Sequence, residues 1–397
     1  MLARATYWSS CADVLPMLQQ RFPGVVANVL SHMSSSAAAR QRHVSLDALQ
    51  DAQQSVLAAG IELPTWVEIL NGASPPQDRT TNFEGGADPG EWQHGWQFYT
   101  TSRMLSQMRA DLLSSSSRAD CARLRSCCGR NNSRWLTAVP YDEMLVLSNP
   151  ILQCLLRRRL GLAIVVDSEV CEATNCGVPL DMHGHHRTAC TRTGRIHGRH
   201  SAAISPWRQV FSEAGYRTRA ERLLRDTHVR TDARDQRRMD IVAAPGSRGV
   251  GARRGVALFA DVTIVAVHTC RGEARGAAAS TDGSMLQVAV NRKRQHYRDV
   301  IATPGAAFLV LGCEVYGRWS EDALQIMREL STLKAAEAPE HLRQSARHGW
   351  ASRWWAIVSV ATQRAVAEAL LRHGGADLQA SQAERPPPPL TDVLMAA

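Results

Sequence analysis

The chain has 397 residues, of which 44% are hydrophobic and 21% are charged, and its formal net charge is +9. This length and composition exclude a wholly disordered chain and suit two or three folded domains. The basic balance favours a polyanionic partner, either nucleic acid or an anionic membrane surface. Lys293 and Lys334 are the two lysines. The other basic residues are arginines, which suit bidentate phosphate contacts, although a GC-rich gene produces the same bias.

The cysteines and the apolar runs indicate where the protein resides. Ten cysteines in a chain of this length do not make a disulfide scaffold. The N-terminal segment lacks the apolar core of a signal peptide, and no apolar run reaches the roughly 18 residues that a membrane span needs. We therefore expect an intracellular protein, with no membrane partner, whose reduced thiols are available as metal ligands.

The first third of the sequence has the pattern of helices. Helices are predicted at about 5–32, 45–59 and 98–113, with Ser45 as an N-cap and Gly60 as a stop. A Pro/Gly/Asp-rich loop lies between the last two, and we expect its Trp92 and Trp96 to pack back on the helices. The tract 114–134, "SSSSRADCARLRSCCGRNNSR", is interpreted as a hinge or basic linker.

In the rest of the chain, the spacing of the apolar residues changes from that of helices to that of strands and helices. A short helix at 149–165 and another that ends near Gly215 flank a Cys/His-rich segment. Short apolar runs of strand length follow, and they lie at about 217–225, 237–244, 256–267 and 306–315. Helices are predicted at 284–300, 320–336 and 342–373, and a disordered tail at 376–397. This order predicts a mixed α+β and α/β fold, with a helical N-terminal region and a C-terminal helix.

The Cys/His-rich segment "CEATNCGVPLDMHGHHRTAC" has the spacing of a zinc site. Cys171 and Cys176 form one close pair, and His186 and Cys190 form a second. Two pairs joined by a short loop suit a tetrahedral ion, and four protein ligands make a structural zinc site with no open position. His183 or His185 could replace His186, because spacing alone does not choose among neighbours. The alternative interpretation is a polar loop in an Arg/His-rich region.

A pair of acidic residues lies in the predicted strands. Asp240 follows two arginines in "RRMDIV", and Asp261 lies inside the apolar run "LFADVTIVAV". A buried carboxylate needs a cation, a proton or a metal, and two carboxylates on adjacent strands suit Mg²⁺. Lys293, with Tyr297 one turn further along a helix, could reach this site. The alternatives are that Asp261 pairs with an arginine at a strand end and that Lys293 lies on a solvated helix face.

These motifs resemble one family. The chain is similar, over roughly 130–335, to the C-terminal region of polyproteins from non-LTR retrotransposons that carry a restriction-like endonuclease. The resemblance rests on four stretches, which are "CEATNCGVPLDMHGHHRTAC", "RRMDIV" with "LFADVTIV", "NRKRQHYRDV", and "CEVYGRWSEDAL". It implies a Cys-Cys-His-Cys zinc knuckle followed by an αβββαβ nuclease of the PD-(D/E)xK type. That nuclease nicks chromosomal DNA, and the new 3′-hydroxyl primes reverse transcription of the element RNA.

The resemblance also implies roles for particular residues. The zinc ligands are Cys171, Cys176, His186 and Cys190, and the catalytic residues are Asp240, Asp261 and Lys293, with the two aspartates holding Mg²⁺ or Mn²⁺. Six arginines are predicted to contact nucleic acid, with a solvated loop as the alternative for the first four: Arg187, Arg192, Arg195, Arg199, Arg237 and Arg238.

The sequence departs from the family pattern at three places. Met239 replaces the usual proline, Thr263 replaces the motif lysine, and a Gly/Arg-rich insert at 245–255 separates the aspartates. There is no Asp-Asp pair of a reverse transcriptase, so this chain is not expected to polymerise, and a separate polymerase portion of the element is a predicted partner. The chain would be a processed portion of a retroelement or a decayed copy.

The sequence therefore predicts domains at 1–130 (helical region and linker), 131–200 (linker helix and knuckle), 201–337 (nuclease) and 338–375 (C-terminal helix). The expected function is a metal-dependent DNA endonuclease in the nucleus, with DNA and element RNA as partners. The alternatives are a non-catalytic zinc protein that binds nucleic acid and a zinc protein that serves protein contacts.

Overall fold

The computed structural model describes residues 2–35, 43–76, 95–164, 170–171, 173, 176–245 and 256–371. The chain divides into two compact units, Met1–Ser115 and Ser116–Ala397. The described residues contain thirteen α-helices and one four-stranded sheet, which confirms the mixed helix-and-sheet prediction. Trp92, most of the 245–255 insert and the tail at 376–397 lie outside the described residues. Among the described helices, none combines the length and apolarity that a bilayer crossing requires.

The described part of the first unit is helical. Its helices α1 to α5 are Leu2–Arg21, Pro23–Ser34, Val44–Ala58, Trp66–Leu70 and Trp96–Ser115. The predicted helix at 5–32 is divided, because Pro23 has no N–H and starts a new helix. His43, not Ser45, occupies the N-cap of α3. Trp96, as expected, packs on the helices: its ring lies 5.9 Å from that of Trp8 in the buried core.

The second unit contains eight helices and the sheet among its described residues. Helices α6 to α13 are Arg118–Ser126, Asn149–Leu160, His185–Ala189, Arg195–Glu213, Ser284–His296, Arg298–Ala302, Glu321–Ala335 and Arg343–Leu371. The boundary between the two units falls at the start of the tract 114–134, but most of this tract is not a linker, because α6 lies within it. Ser117 caps α6 by accepting a hydrogen bond from the Asp120 N–H, and Cys121 and Ala122 are buried.

The strands form one mixed sheet in the order β1-β2-β3-β4. They span Arg217–Leu223, Arg238–Ala244, Ala257–Val265 and Ala306–Glu314. Strands β1, β2 and β3 are antiparallel, whereas β3 and β4 are parallel. Parallel neighbours need a crossover connection, and α10 and α11 supply it. The order from α9 to β4 is therefore helix, three strands, helix, strand.

The sheet is covered on both faces by different clusters. One face, which includes Ile241 and Leu258, packs in a core with the rings of Trp207, Trp319 and Trp355 from α9, the β4–α12 turn and α13. On the other face, Phe259 of β3 packs with Tyr297, which lies between α10 and α11, and with Val300 of α11. Asp261 is two residues from Phe259 and so points to the second face. The fold thus directs Asp261 towards the helix that carries Lys293.

Candidate functional site

Four side chains of the Cys/His-rich segment meet at one point. The ligand atoms of Cys171, Cys176, His186 and Cys190 all lie within 4.8 Å of one another. Cys176 Sγ lies 3.5 Å from His186 Nε2 and 3.9 Å from Cys190 Sγ. Three thiols and one imidazole at these separations suit a metal ion such as zinc. The predicted convergence of these four residues into a cluster that could hold a metal ion is thereby confirmed.

Local backbone features bring the two ligand pairs together. Val170 and Pro179 form an antiparallel bridge, so the segment between them, which contains Cys171 and Cys176, closes into a loop. Gly177 and Gly184 have φ angles of +61° and +70°, which glycine adopts without a steric cost. Gly184 precedes α8, which carries His186 and ends just before Cys190.

Asp181 fixes the start of α8. Its carboxylate accepts hydrogen bonds from the backbone N–H groups of His183, His185 and His186, at 3.1, 2.9 and 2.7 Å. Burial alone would raise the pKa of Asp181, but these N–H groups outweigh it and hold the pKa below its usual range. The aspartate thus satisfies donors at the first turn that have no partner within the helix.

The structure selects one of the three candidate histidines. His186 Nδ1 lies 3.1 Å from the carbonyl oxygen of Cys270, so the N–H is directed there and Nε2 faces the thiols. The ring of His185 instead packs 4.0 Å from that of His268. Burial, together with that neighbouring histidine, lowers the pKa of His185 to about 3. His183 and His185 are therefore not members of the metal cluster.

The two aspartates lie side by side on β2 and β3. The paired register ends with Ile241 opposite Ala260, so Asp240 and Asp261 follow directly beyond the last pair and point to the same sheet face. Asp240 Oδ2 accepts a hydrogen bond of 2.7 Å from the backbone N–H of Val262. Asp261 lies in the middle of β3 and only 1% of its surface is exposed. The proposed location of Asp261 at a strand end is therefore excluded.

Lys293 reaches Asp261 from α10. Its Nζ lies 2.9 Å from Asp261 Oδ2, and 26% of the lysine side chain is exposed. The other oxygen, Oδ1, is buried and has no hydrogen-bond partner within the described part of the chain. Burial raises the pKa of Asp261, Lys293 opposes that rise, and Asp240 adds to it. A cation beside Oδ1 would stabilise the ionised carboxylate.

Two further side chains complete this cluster. His200 of α9 lies 3.3 Å from Asp240 Oδ1, and this contact raises the pKa of His200. The Tyr297 hydroxyl donates to the carbonyl oxygen of Arg238 at 3.0 Å. Burial and the nearby charges of Asp261 and Asp240 raise the pKa of Tyr297, which stays protonated. His200 could not be recognised from the sequence, because it lies 40 residues before Asp240 and this separation matches no known motif.

Three of the arginines that were predicted to face phosphate are buried, and that prediction is corrected. Arg187 and Arg195 donate to the carbonyl oxygens of Leu370 and Ala369, at the end of α13. Arg199 donates to the carbonyl oxygen of Thr188 at 3.2 Å, and burial lowers its pKa to about 10. Exposures of 3%, 5% and 3% leave none of the three accessible to a polyanion.

The other three predicted arginines differ in their surroundings. Arg237 is half-buried and forms ion pairs with Asp235 and Asp299, so its charge is already matched. Arg192 and Arg238 are exposed, as a nucleic-acid contact requires.

No model of a protein family matches this chain, and no curated protein is found to match it, so the assignment of a function rests on the residues themselves.

Proposed function

We propose that α9 and the residues that follow it, up to 337, form a metal-dependent DNA endonuclease with a restriction-like αβββαβ fold, in a protein derived from a non-LTR retroelement. One observation carries the proposal. Two carboxylates, Asp240 and Asp261, come from adjacent strands, and the partly exposed Lys293 contacts Asp261. The order helix, three strands, helix, strand also agrees with that fold.

The residues at this site fit a hard divalent cation. Within the described residues, Asp261 Oδ1 is a buried acceptor without a hydrogen-bond partner, and Asp240 contributes a second carboxylate from the adjacent strand. Mg²⁺ and Mn²⁺ prefer oxygen ligands and bind to one or two carboxylates together with water and phosphate. When bound there, the ion would polarise the phosphodiester and lower the pKa of a water molecule.

The chain's own residues orient the reacting groups. His200 and the Val262 N–H hold the two oxygens of Asp240. The Lys293 side chain is partly exposed, so it would provide positive charge near the phosphate oxygens of bound DNA. Hydrolysis adds a water oxygen to phosphorus and breaks the bond to the 3′ oxygen. The water loses one proton and the 3′ oxygen gains one, so the products are a 5′-phosphate and a 3′-hydroxyl that can prime synthesis.

The biological setting follows from this chemistry. A nick that primes reverse transcription requires chromosomal DNA, the element RNA and a separate polymerase portion of the element. We therefore propose a nuclear site of action. The Cys/His cluster would hold structural zinc, and the exposed Arg192 and Arg238 remain candidates for phosphate contacts.

A second candidate is a non-catalytic zinc protein that binds nucleic acid. The observation that favours it is the ion pair between Lys293 and Asp261, because Lys293 supplies a counter-charge to the buried carboxylate without a metal. Thr263 also occupies the position where a motif lysine would stand. This candidate predicts salt-dependent binding to DNA or RNA, since phosphate contacts release counterions, and no cleavage.

Plasmid nicking distinguishes the two candidates. Supercoiled plasmid is incubated with the wild type, Asp240→Ala and Asp226→Asn, each with Mg²⁺ or Mn²⁺. We expect the wild type and the Asp226→Asn control to convert it to open circles, and Asp240→Ala to lose at least about a hundredfold in rate. Zinc content and circular dichroism verify that the variants are folded. Nicking that persists in Asp240→Ala, or its absence in the wild type with either ion, contradicts the endonuclease proposal.

A further inference from the structure

A cavity of about 290 Å³ lies next to the segment that carries the Cys/His cluster, and neither Asp240 nor Asp261 lines it. Its walls come from the start of α6, the end of α7, the segment before α8 and the turn after β4. This volume approaches the lower end of small-ligand pockets and far exceeds the space of a single water. Arg158, Tyr316 and Arg271 are among the residues that line it.

Arg158 is the central feature of this cavity. Only 3% of it is exposed, and its Nη1 donates to the carbonyl oxygen of Val315 at 3.0 Å. Its Nε and Nη2 are buried and have no hydrogen-bond partner among the described residues. These two nitrogens form one edge of the planar guanidinium, and that edge binds two oxygens of a phosphate or carboxylate in parallel. The guanidinium therefore has an unused bidentate edge.

No carboxylate of the described residues lies within ion-pair distance of Arg158. The two aspartates that line the cavity are engaged elsewhere. Asp120 accepts from Ser117 and Arg123, and Asp181 accepts the three N–H groups at the start of α8. A buried cation without a counter-charge is strongly unfavourable. An anion bound from outside the chain would remove this imbalance.

Two neighbours of Arg158 offer further polar atoms. The centre of the Tyr316 ring lies 4.0 Å from the Arg158 guanidinium, and the Tyr316 hydroxyl is buried with no hydrogen-bond partner in the described part of the chain. Burial raises the pKa of Tyr316, so the hydroxyl remains a donor. His185 Nδ1 is also buried and without a partner. The exposed Arg271 adds positive charge at the cavity wall.

We propose that this cavity binds a phosphate group, with Arg158 and Tyr316 as its principal donors. A phosphate monoester has three terminal oxygens, so each of the two N–H groups of Arg158 and the Tyr316 hydroxyl can bond to a separate oxygen. The volume also accommodates the sugar to which the phosphate is attached. The group comes either from a free nucleotide or from the 5′ end of a nucleic-acid strand. The proposal does not depend on the endonuclease activity, because it uses different residues.

Calorimetric titration of the full-length zinc-loaded protein tests this site in buffer without other divalent ions. The probes are inorganic phosphate, adenosine 5′-monophosphate, and one short oligonucleotide with a 5′-phosphate or a 5′-hydroxyl. We expect Tyr316→Phe to weaken phosphate binding about five- to tenfold through loss of one hydrogen bond to a charged group. Arg158→Gln should abolish it. Arg230→Gln, at an exposed arginine outside the cavity, is the matched control.

The comparison of probes identifies the source of the phosphate. Tighter binding of the 5′-phosphorylated strand than of the 5′-hydroxyl strand, lost in Tyr316→Phe, assigns the site to strand ends. Binding of the mononucleotide without that difference assigns it to free nucleotides. Equal affinities of the wild type and Tyr316→Phe for every probe, or no binding of any phosphate, would overturn the proposal. Tyr316→Phe removes only an unpartnered hydroxyl, so the test holds even where Arg158→Gln does not fold.

Discussion

Asp261 shows how a single residue combines a structural cost with a chemical role. A carboxylate buried in the middle of β3 loses its hydration, and only one of its oxygens is compensated, by Lys293. The raised pKa of Asp261 expresses this cost, since the fold disfavours the ionised form. A position of this kind is retained for a ligand more readily than for stability.

Replacement of this carboxylate should therefore separate stability from activity. Asp261→Asn removes the desolvated charge and keeps the side-chain volume, while Lys293 can turn to solvent. We expect the melting temperature at pH 7 to rise by about 2–4 °C and metal-dependent nicking to disappear. Since the folded pKa is raised, the stability penalty of ionised Asp261 grows as pH rises through it, so the difference between variant and wild type should be smaller in acid. A lower melting temperature for the variant at every pH would contradict this account.

The contact between His200 and Asp240 should produce a pH dependence of its own. The pKa of His200 is raised, first by its hydrogen bond to Asp240, against an opposing effect of burial. A raised folded pKa stabilises the protein below the unfolded pKa, and this stabilisation is lost as pH rises through the folded value. The difference in unfolding free energy between the wild type and His200→Gln should thus be largest below the ordinary pKa of histidine and shrink above it. Urea unfolding of both proteins across pH 5–9 measures it, and a difference that is independent of pH would refute the role of the charged histidine.

At the scale of secondary structure, the Cys/His segment fixes the end of the last described helix. Arg187 of α8 and Arg195 of α9 donate to the carbonyl oxygens of Leu370 and Ala369, in the last turn of α13. Carbonyls at a helix C-terminus have no partner within the helix, and cations are favourable there. Gly184 also lies against Leu370 so closely that a Cβ would meet its side chain at 2.5 Å. The Cys/His segment and the position of α13 are therefore linked.

Truncation of one of these arginines should destabilise the second unit. Arg187→Ala removes a charged donor and leaves the Leu370 carbonyl unsatisfied in a buried place, which should cost about 2–3 kcal/mol of unfolding free energy. The exposed Arg192→Ala, five residues along the same segment, should change it by less than about 0.5 kcal/mol. Chemical denaturation of the zinc-loaded proteins provides the measurement. Equal stability of the two variants would show that the helix end does not depend on Arg187.

At the scale of the whole molecule, each unit has its own buried apolar cluster. The first is built around Trp8 and Trp66 in the helical unit, and the second contains the sheet, α9, α12 and α13. A third cluster joins Ala122 and Cys127, at α6 and its end, to Val315 and Tyr316. Helix α6 thus packs with the residues that follow β4, and it belongs with the second unit.

Two fragments test where the second unit begins. We expect residues 116–397 to fold alone, to bind one zinc ion and to keep any nicking activity of the whole chain. A fragment that starts at 131, the boundary predicted from sequence, lacks α6 and exposes Val315 and Tyr316, so it should be less stable by about 2–4 kcal/mol. Thermal unfolding and zinc content compare the two. Equal stability would favour the sequence-based boundary.

The sequence by itself determined the strands and most of the helices, because their apolar periods and caps are local. It also predicted three of the four members of the Cys/His cluster, since Cys171, Cys176 and Cys190 lie within twenty residues at the spacing of zinc ligands. It also placed Asp240 and Asp261 on neighbouring strands, although a shift of one residue in the strand register would decide whether their side chains lie on the same sheet face. These features depend on a few consecutive residues, and the amino-acid pattern contains them.

Only the tertiary structure decided the rest. It selected His186 through the distant carbonyl of Cys270, brought Lys293 to Asp261 across 32 positions, and added His200 to the site. It also buried Arg187, Arg195 and Arg199, which resemble the exposed Arg192 in sequence. An arginine has the same charge in either place, and what differs is whether a carbonyl from a remote helix end or water accepts its hydrogen bonds. Packing between segments far apart in the chain sets that difference.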